Sequence, residues 1–229
     1  MTRTLMGAAA LCAVASGASA QLFGVGNFGA FQTQSLYSID VATGAATRIG
    51  DTGLVQIADI AYSPATGKMF ALTVAADLYE LNLTTGASTL VAARAGTTPE
   101  GGLTVRLGDD ATLAVAGDVL GGLNRATAMF SAVGPLGGID NDIAGTAFDA
   151  SGTLFGYAKN GTLEDALVTI DLSTGAATRV GLMGFDSASG VGGLAWDYAS
   201  TVYMSDGSGL YTVNTATGEA TFIGSHGSG

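Results

Sequence analysis

The chain has very few of the side chains that most enzymes use for chemistry. It contains one cysteine, Cys12, and one histidine, His226. Zinc sites built from His and Cys, Ser-His-Asp triads and Cys-His pairs all need residues that the chain does not supply. Because His226 lies in a Ser/Gly-rich tail, we expect its ring to be solvated rather than to act as a ligand or base. Carboxylates are therefore the only remaining candidates for catalysis, and no catalytic residue is assigned.

Basic residues are also scarce, with 8 Lys and Arg against 19 Asp and Glu. Nucleic acids and anionic membrane surfaces are bound largely through Lys and Arg. The acidic balance therefore argues against nucleic acid and membrane surfaces as partners. It suits solubility outside the cell and would favour cations.

The N-terminus has the pattern of a secretory signal peptide. Thr2 and Arg3 form a short basic start, an apolar run extends from Leu5 to about Ala15, and Ala18-Ser19-Ala20 supplies small residues for cleavage. The apolar run is too short to span a bilayer core, which needs about 20 residues. We expect residues 1–20 to be removed, which would leave a mature chain without cysteine and without a membrane span. The predicted location is the periplasm, the cell surface or the extracellular space.

The rest of the chain repeats itself. Five segments align without a gap and start 42, 42, 47 and 43 residues apart. They are LYSIDVATGAATRIG from Leu36, LYELNLTTGASTLVA from Leu78, LGGLNRATAMFSAVG from Leu120, LVTIDLSTGAATRVG from Leu167 and LYTVNTATGEATFIG from Leu210. A second unit recurs between them, as DIAYSPATGKMFALT from Asp59, GLTVRLGDDATLAVA from Gly102, GTAFDASGTLFGYA from Gly145 and GLAWDYASTVYMSD from Gly193.

Each repeat unit reads as β-structure. Runs of four to six β-branched, aromatic and aliphatic residues are separated by Gly, Asn, Asp and Ser, and no helical spacing is sustained after the N-terminal segment. The recurring Asp/Asn-x-x-Thr-Gly element predicts a hairpin turn, in which the Asp or Asn accepts backbone N–H groups and the glycine takes a positive φ. Ala128 replaces that glycine in the third copy, so we expect the third turn to be the most distorted. One carboxylate or amide per turn is too few for a calcium loop, since calcium takes six to eight oxygens.

Four strands in a period of this length are typical of a β-propeller blade. The sequence predicts an all-β propeller of four-stranded antiparallel blades over residues 21–224, followed by a flexible tail at 225–229. Three strands in the first blade and four in each of the next four leave the first blade without its inner strand. Either the chain is a fragment and a later segment supplies that strand, or the ring closes imperfectly. We favour the fragment, which makes five blades a lower bound and allows a larger ring.

The alternation of the two repeat units resembles that of secreted bacterial propellers of the YVTN type, including those associated with PEP-CTERM sorting tails. The resemblance covers residues 22–224 and implies the propeller fold. It implies no single activity, because such propellers serve in binding, scaffolding and catalysis alike. A quinone cofactor is not expected, because the tryptophan that follows Asp-x-x-Thr-Gly in quinoprotein propellers has no counterpart here.

Carboxylates and amides fall in the loops that connect the last strand of one blade to the first strand of the next. Aligned on that first strand, Gln56 and Asp142 share a position, with Glu100 one step further on. We expect residues of this group from different blades to converge at one mouth of the channel. There they could bind a cation such as calcium or, held ~5–9.5 Å apart, cleave a glycosidic bond. The candidate ligand- or cation-binding residues are Gln56, Glu100, Asp140, Asp142 and Asp186.

Two functions remain open at this point. The first is an exported, non-enzymatic binding or scaffold protein of the cell envelope, which would present a rigid propeller to a protein, a polysaccharide or a small ligand. Near-uniform repeats without a catalytic cluster favour it. The alternative is a carboxylate- or calcium-dependent hydrolase or lactonase that acts at the channel mouth.

Overall fold

The computed structural model describes residues 8–14, 21–26, 33–93, 101–137, 142–159, 164–185 and 192–227. These residues form twenty strands in five sheets, each of four antiparallel strands, and contain no helix. The five sheets are the blades of a β-propeller. The predicted fold class is confirmed.

Each blade runs from an inner strand, which faces the central channel, to an outer strand. Blade 1 consists of β1 (Ala8–Val14), β2 (Gln21–Gly26), β3 (Ser35–Ile39) and β4 (Ala46–Asp51). Blade 2 consists of β5 (Ile57–Ser63), β6 (Lys68–Thr73), β7 (Leu78–Leu81) and β8 (Ser88–Ala92). Blade 3 consists of β9 (Leu103–Val105), β10 (Thr112–Ala116), β11 (Val119–Asn124) and β12 (Met129–Pro135). Blade 4 consists of β13 (Asp142–Phe148), β14 (Leu154–Lys159), β15 (Ala166–Ile170) and β16 (Ala177–Leu182). Blade 5 consists of β17 (Gly193–Trp196), β18 (Val202–Ser205), β19 (Gly209–Val213) and β20 (Ala220–Ser225).

The hydrophobic core is divided among the five interfaces between neighbouring blades. One cluster of buried apolar side chains lies at each interface, including the one between blade 5 and blade 1. Most side chains of the inner strands are buried, because both faces of each strand are covered by a neighbouring blade. The outer strand β8, in contrast, exposes most of its side chains. None of the described residues belongs to a helix long and apolar enough to cross a membrane.

The inner strand of blade 1 comes from the N-terminal apolar segment. β1 pairs antiparallel with β2, with Val14 opposite Gln21 and Leu11 opposite Gly24. The expectation that a later segment must supply this strand is therefore wrong in this structure, and the strand count is twenty rather than nineteen. The same residues were interpreted as the apolar part of a signal peptide, and export remains a prediction.

The predicted hairpin turns form as the sequence indicates. In the first, the Asp40 carboxylate accepts the amides of Ala42 and Thr43 at 2.8 and 2.9 Å. These bonds lower the pKa of Asp40, because they stabilise its charged form. In the third turn, Ala128 adopts a φ of 53°, which an L-residue rarely takes. Asn124 still accepts the amide of Ala126 at 2.9 Å, so the alanine strains this turn without abolishing it.

His226, near the C-terminus, packs into the propeller ring. The side chain of His226 is 4% exposed, and its ring contacts both the last blade and the first. The expectation of a solvated histidine in a flexible tail is thus wrong at this residue. Ser228 and Gly229 lie outside the described residues.

Candidate functional site

The predicted carboxylate site lies on the face where the outer strand of each blade connects to the inner strand of the next, here called the upper face. Glu100, Asp140 and Asp186 lie outside the described residues. Asp142 begins β13, but its side chain is outside the described part of the chain. Gln56 alone is described in full. Whether the five side chains converge therefore remains a prediction.

Gln56 is exposed and adopts a φ of 55°, in a loop that is held by its backbone. Its carbonyl accepts the amide of Val74 at 2.8 Å. The next amide, of Ile57, donates to the side-chain oxygen of Gln34 at 2.5 Å. The loop is thus fixed between blades 1 and 2, and the Gln56 side chain points to solvent rather than into a site formed by described residues.

Metal ligands do not gather in the part of the chain that the structure describes. No three side chains of His, Cys, Asp or Glu come together there. Most of the predicted ligands lie outside that part, so calcium binding at the upper face remains a prediction from the sequence.

A second candidate site occupies the opposite, lower mouth of the channel. It is an open recess of about 390 Å³, including the part that is open to solvent. All five inner strands contribute to it. Its walls are formed by residues 11–13 of β1, 60–62 of β5, 103–105 of β9, 146–148 of β13 and 194–196 of β17, with Leu107 and Tyr198 from the turns.

The exposed surface of the recess is about half polar and half apolar, and aromatic side chains lie in its wall. Trp196, the only tryptophan of the chain, packs against Tyr198, with ring centroids 5.1 Å apart and planes tilted by 45°. Tyr62 and Phe148 line the wall from blades 2 and 4. Leu107 is 51% exposed at the edge, so it offers apolar surface to a ligand.

The backbone of Tyr198 is strained. Its φ is 60°, which is unfavourable for a bulky residue and costs about 1–3 kcal/mol. The carboxylate of Asp197 fixes the turn by accepting the amides of Ala199, Ser200 and Thr201. In blades 2 and 4 the positive φ of the same turn falls on a glycine, Gly67 or Gly152. Blade 5 instead places a strained tyrosine at the lip of the recess, which is the kind of outlier that occurs at ligand sites.

One hydroxyl in the wall has no protein partner. Thr146 is 4% exposed, lines the recess, and its Oγ1 makes no hydrogen bond in the described structure. Its side chain packs on Gly102, where an added Cβ would lie 2.4 Å from Oγ1. A buried hydroxyl without a partner is costly. Because Oγ1 faces Gly102, it is not accessible from the recess.

Asp59 is a buried carboxylate in the inner strand β5. The next three blades have glycine at the same place in the repeat, as Gly102, Gly145 and Gly193. The buried carboxylate of Asp59 accepts the amides of Ile60 at 2.8 Å and of Leu103, in blade 3, at 2.6 Å. Burial raises the pKa of Asp59 well above its ordinary value, and the two backbone bonds only partly oppose this. Its contacts link two blades, and it is not part of the recess wall.

Two other titratable groups near the recess also favour their neutral forms. Burial raises the pKa of the Cys12 thiol, and the nearby Asp59 adds to this effect. Burial likewise raises the pKa of the Tyr198 hydroxyl. Neither group is a ready nucleophile or general base near neutral pH.

The sequence interpretation missed this recess. Its wall residues are those of ordinary strands, and nothing in their spacing distinguishes a wall residue from a core residue. Two signals were nonetheless present in the repeats: Asp59 where other copies have glycine, and Tyr198 in a turn where other copies have Pro64 or Ala150. Each marks a departure from the repeat at the channel.

No protein-family model matches this chain, and no curated protein matches its sequence. Solved structures share its fold. A structural-genomics protein of unknown function from Bacteroides thetaiotaomicron is 13% identical, with a TM-score of 0.56 over 83% of this chain and 55% of the other. An auxiliary nutrient binding protein from the same organism is 13% identical, with a TM-score of 0.59 over 95% of this chain and 57% of the other. A gluconolactonase from Xanthomonas campestris is 14% identical, with a TM-score of 0.53 over 87% and 78%.

This chain is similar in fold to a binding protein and to an enzyme alike. At these identities the likeness shows the propeller fold alone. The chain spans little more than half the length of the two Bacteroides proteins. The choice between functions must therefore come from the site itself.

Proposed function

We propose that the protein is an exported, non-enzymatic binding protein whose lower channel recess holds a small apolar or aromatic group. That group belongs to a small ligand or to a side chain of a partner protein. The observation that carries the proposal is the recess, to which β5, β9, β13 and β17 of the predicted mature chain contribute, with aromatic side chains in its wall. Small-molecule sites commonly combine an apolar concave wall with a few polar groups that fix orientation.

The recess of the predicted mature chain is lined by uncharged side chains, which favours an uncharged ligand. Export is supported by the N-terminal sequence and by an acidic composition that suits the extracellular medium. The strong excess of acid also favours uncharged or cationic ligands over anionic ones.

Trp196 offers a direct test, because the only tryptophan of the chain lies in the recess wall. Benzyl alcohol and toluene are suitable probes, since they share a ring and differ by one hydroxyl. We expect both to change Trp196 emission saturably, with one site per chain by calorimetry. Emission that changes only linearly with either probe would contradict the proposal.

Two threonine variants test whether the buried hydroxyls take part in binding. The Oγ1 atoms of Thr146 and Thr112 are both buried without a partner, and only Thr146 lies in the recess wall. Because neither hydroxyl is accessible from the recess, Thr146→Val and Thr112→Val should each leave the binding of both probes unchanged. A selective loss of benzyl alcohol binding in Thr146→Val would contradict this and show that a ligand reaches the hydroxyl.

A further inference from the structure

The inner strand β1 packs against the last blade on one face and against the second blade on the other. Its side chains alternate between two buried clusters. Leu11 and Ala13 pack with side chains of blade 5, while Cys12 and Val14 pack with side chains of blade 2. Both faces of the strand are therefore buried, and β1 completes two of the five blade interfaces at once.

The backbone of β1 is held by β2 alone. The pairing runs antiparallel from Val14 opposite Gln21 to Ala8 opposite Gly26, with an irregularity between Ala8 and Ala10. Main-chain pairing of this kind does not depend on side-chain identity, so any extended segment can make it. The side chains of the neighbouring blades then select which segment fits.

The fit favours small and apolar residues. Leu11 is 1% exposed and Ala13 2%, and segment 8–14 contains no charged or strongly polar residue. A charge at the position of Leu11 would be buried without a partner, at high cost. The site thus accepts an uncharged, extended segment with one leucine-sized residue flanked by smaller ones.

The predicted signal peptide includes this strand. Cleavage after Ala20 cuts the chain between β1 and β2, so that β1 is no longer covalently joined to the blade it completes. Once the strand leaves, β2 has a free edge, and Leu22 and Val25, both fully buried in the closed ring, lose part of their cover.

We propose that the place of β1 is an acceptor site for an extended, uncharged apolar segment of another polypeptide, which pairs antiparallel with Gln21–Gly26 and replaces residues 8–14. The exported ring is then closed by a strand supplied in trans. This proposal does not rest on a ligand in the recess, although residues 11–13 form part of the recess wall.

Cys12 provides the measurement. It is the only cysteine and is buried in β1, so a thiol reagent modifies it quickly only after the strand is released. The experiment starts from the folded full chain, in which residues 15–20 are replaced by a specific protease site and cut under native conditions. A synthetic peptide of residues 8–14, with Cys12→Ser and terminal lysines for solubility, is then added in excess.

We expect the cut protein to retain its own segment and the added peptide to displace it. Cys12 modification should accelerate at least 10-fold as the peptide concentration rises, and native mass spectrometry should show one peptide per chain. The same peptide carrying Leu11→Asp is the matched control and should have no effect. The uncut chain should be modified slowly with either peptide.

Three outcomes would overturn the proposal. The first is a Cys12 modification rate that stays at the uncut value whatever peptide is added. The second is an equal acceleration by the Leu11→Asp peptide, which would indicate non-specific loosening. The third is loss of the segment after the cut without binding of the added peptide, which would show that the edge of β2 accepts no strand. Probe binding to the recess of the uncut chain is measured separately, so failure of one proposal is distinguishable from failure of the other.

Discussion

His226 joins the two ends of the ring through its side chain. Its Nδ1–H donates to the carbonyl of Gly44 at 2.8 Å, because a carbonyl can only accept. In the neutral imidazole, Nε2 accepts from the Ser205 hydroxyl at 2.8 Å, and that hydroxyl in turn accepts the amide of Gly207 at 3.3 Å. The network is complete with a neutral imidazole. Burial lowers the pKa of His226, in keeping with that form.

The first prediction concerns substitution of this histidine. His226→Ala should lower the free energy of unfolding by about 2–4 kcal/mol, because it removes two hydrogen bonds and leaves buried partners unsatisfied. His226→Met should cost less. Leu136 and Met183 occupy the equivalent positions after β12 and β16, and both are buried. Denaturant unfolding of the purified variants measures both effects.

The same residue should make the stability depend on pH. The folded state binds the His226 proton less well than the unfolded state, so its contribution is complete above the unfolded pKa of about 6.5 and is lost as pH falls below it. Between pH 7 and pH 5 the Tm of the native chain should therefore fall further than that of His226→Met. Parallel pH profiles for the two proteins would show that His226 is not the responsible group.

Single residues were the hardest features to predict. His226 lies among Ser and Gly, which locally favour disorder, and its ring has a partner in the first blade in the carbonyl of Gly44, 182 residues earlier. Asp59 carries a carboxylate in a largely apolar strand. The carboxylate can be buried because it accepts a hydrogen bond from the amide of Leu103 in the next blade. The burial of His226 and of Asp59 depends on contacts between blades, which cannot be predicted from a local sequence pattern.

At the scale of secondary-structure elements, the Thr-Gly turns make close backbone contacts with the neighbouring blade. Gly86 in the turn of blade 2 lies directly against Gly50 in β4 of blade 1, and a Cβ at Gly86 would be 2.5 Å from the Gly50 carbonyl oxygen. The pairs Gly44–Gly224, Gly175–Gly134 and Gly218–Gly181 repeat this contact. In blade 3 the turn residue is Ala128, and the aligned residue of blade 2 is Ala92 rather than glycine. Both alanines pack in the interface between these blades.

The second prediction compares two of these turns. Gly86→Ala should destabilise the protein by about 2–4 kcal/mol, because it combines a backbone clash with a φ of +80°. Ala128→Gly should change stability by less than about 1 kcal/mol, since relief of the positive φ offsets the greater chain entropy of glycine. Urea midpoints with unchanged m-values provide the measurement. A smaller cost for Gly86→Ala than for Ala128→Gly would disprove the close-contact argument.

Strands and turns were predictable because their causes are local. Asp40, Asn82 and their counterparts accept amides two and three residues ahead, so the turn is encoded within five residues. The repeat period then sets four strands per blade. The source of the first inner strand was not predictable in this way. The sequence of residues 8–14 is compatible with a strand and with a signal peptide. Their pairing with β2 depends on the groove between blades 5 and 2, which exists only in the folded ring.

At the scale of the whole molecule, most of the predicted cation ligands of the upper face lie outside the described residues. The third prediction addresses them. For a non-enzymatic binding protein we expect the Tm after dialysis against chelator to stay within about 1 °C when millimolar calcium is added. A ligand that binds only the folded state raises the Tm by mass action.

A rise of several degrees would instead favour a calcium-dependent hydrolase or lactonase at the upper face. The variants Glu100→Gln and Asp142→Asn would then show whether the predicted residues hold the ion. Loss of the calcium-induced rise in either variant would place the ion at that mouth of the channel.

The contact of His226 with Gly44 has a consequence for the order of events during synthesis. The two residues are 182 positions apart, so the ring cannot close until almost the whole chain has left the ribosome. Contacts of such sequence separation form slowly. Until then the N-terminal segment cannot pack against blade 5 and remains accessible to a targeting factor. For the export that we propose, the late closure of the ring leaves a time window in which the unfolded chain can be captured.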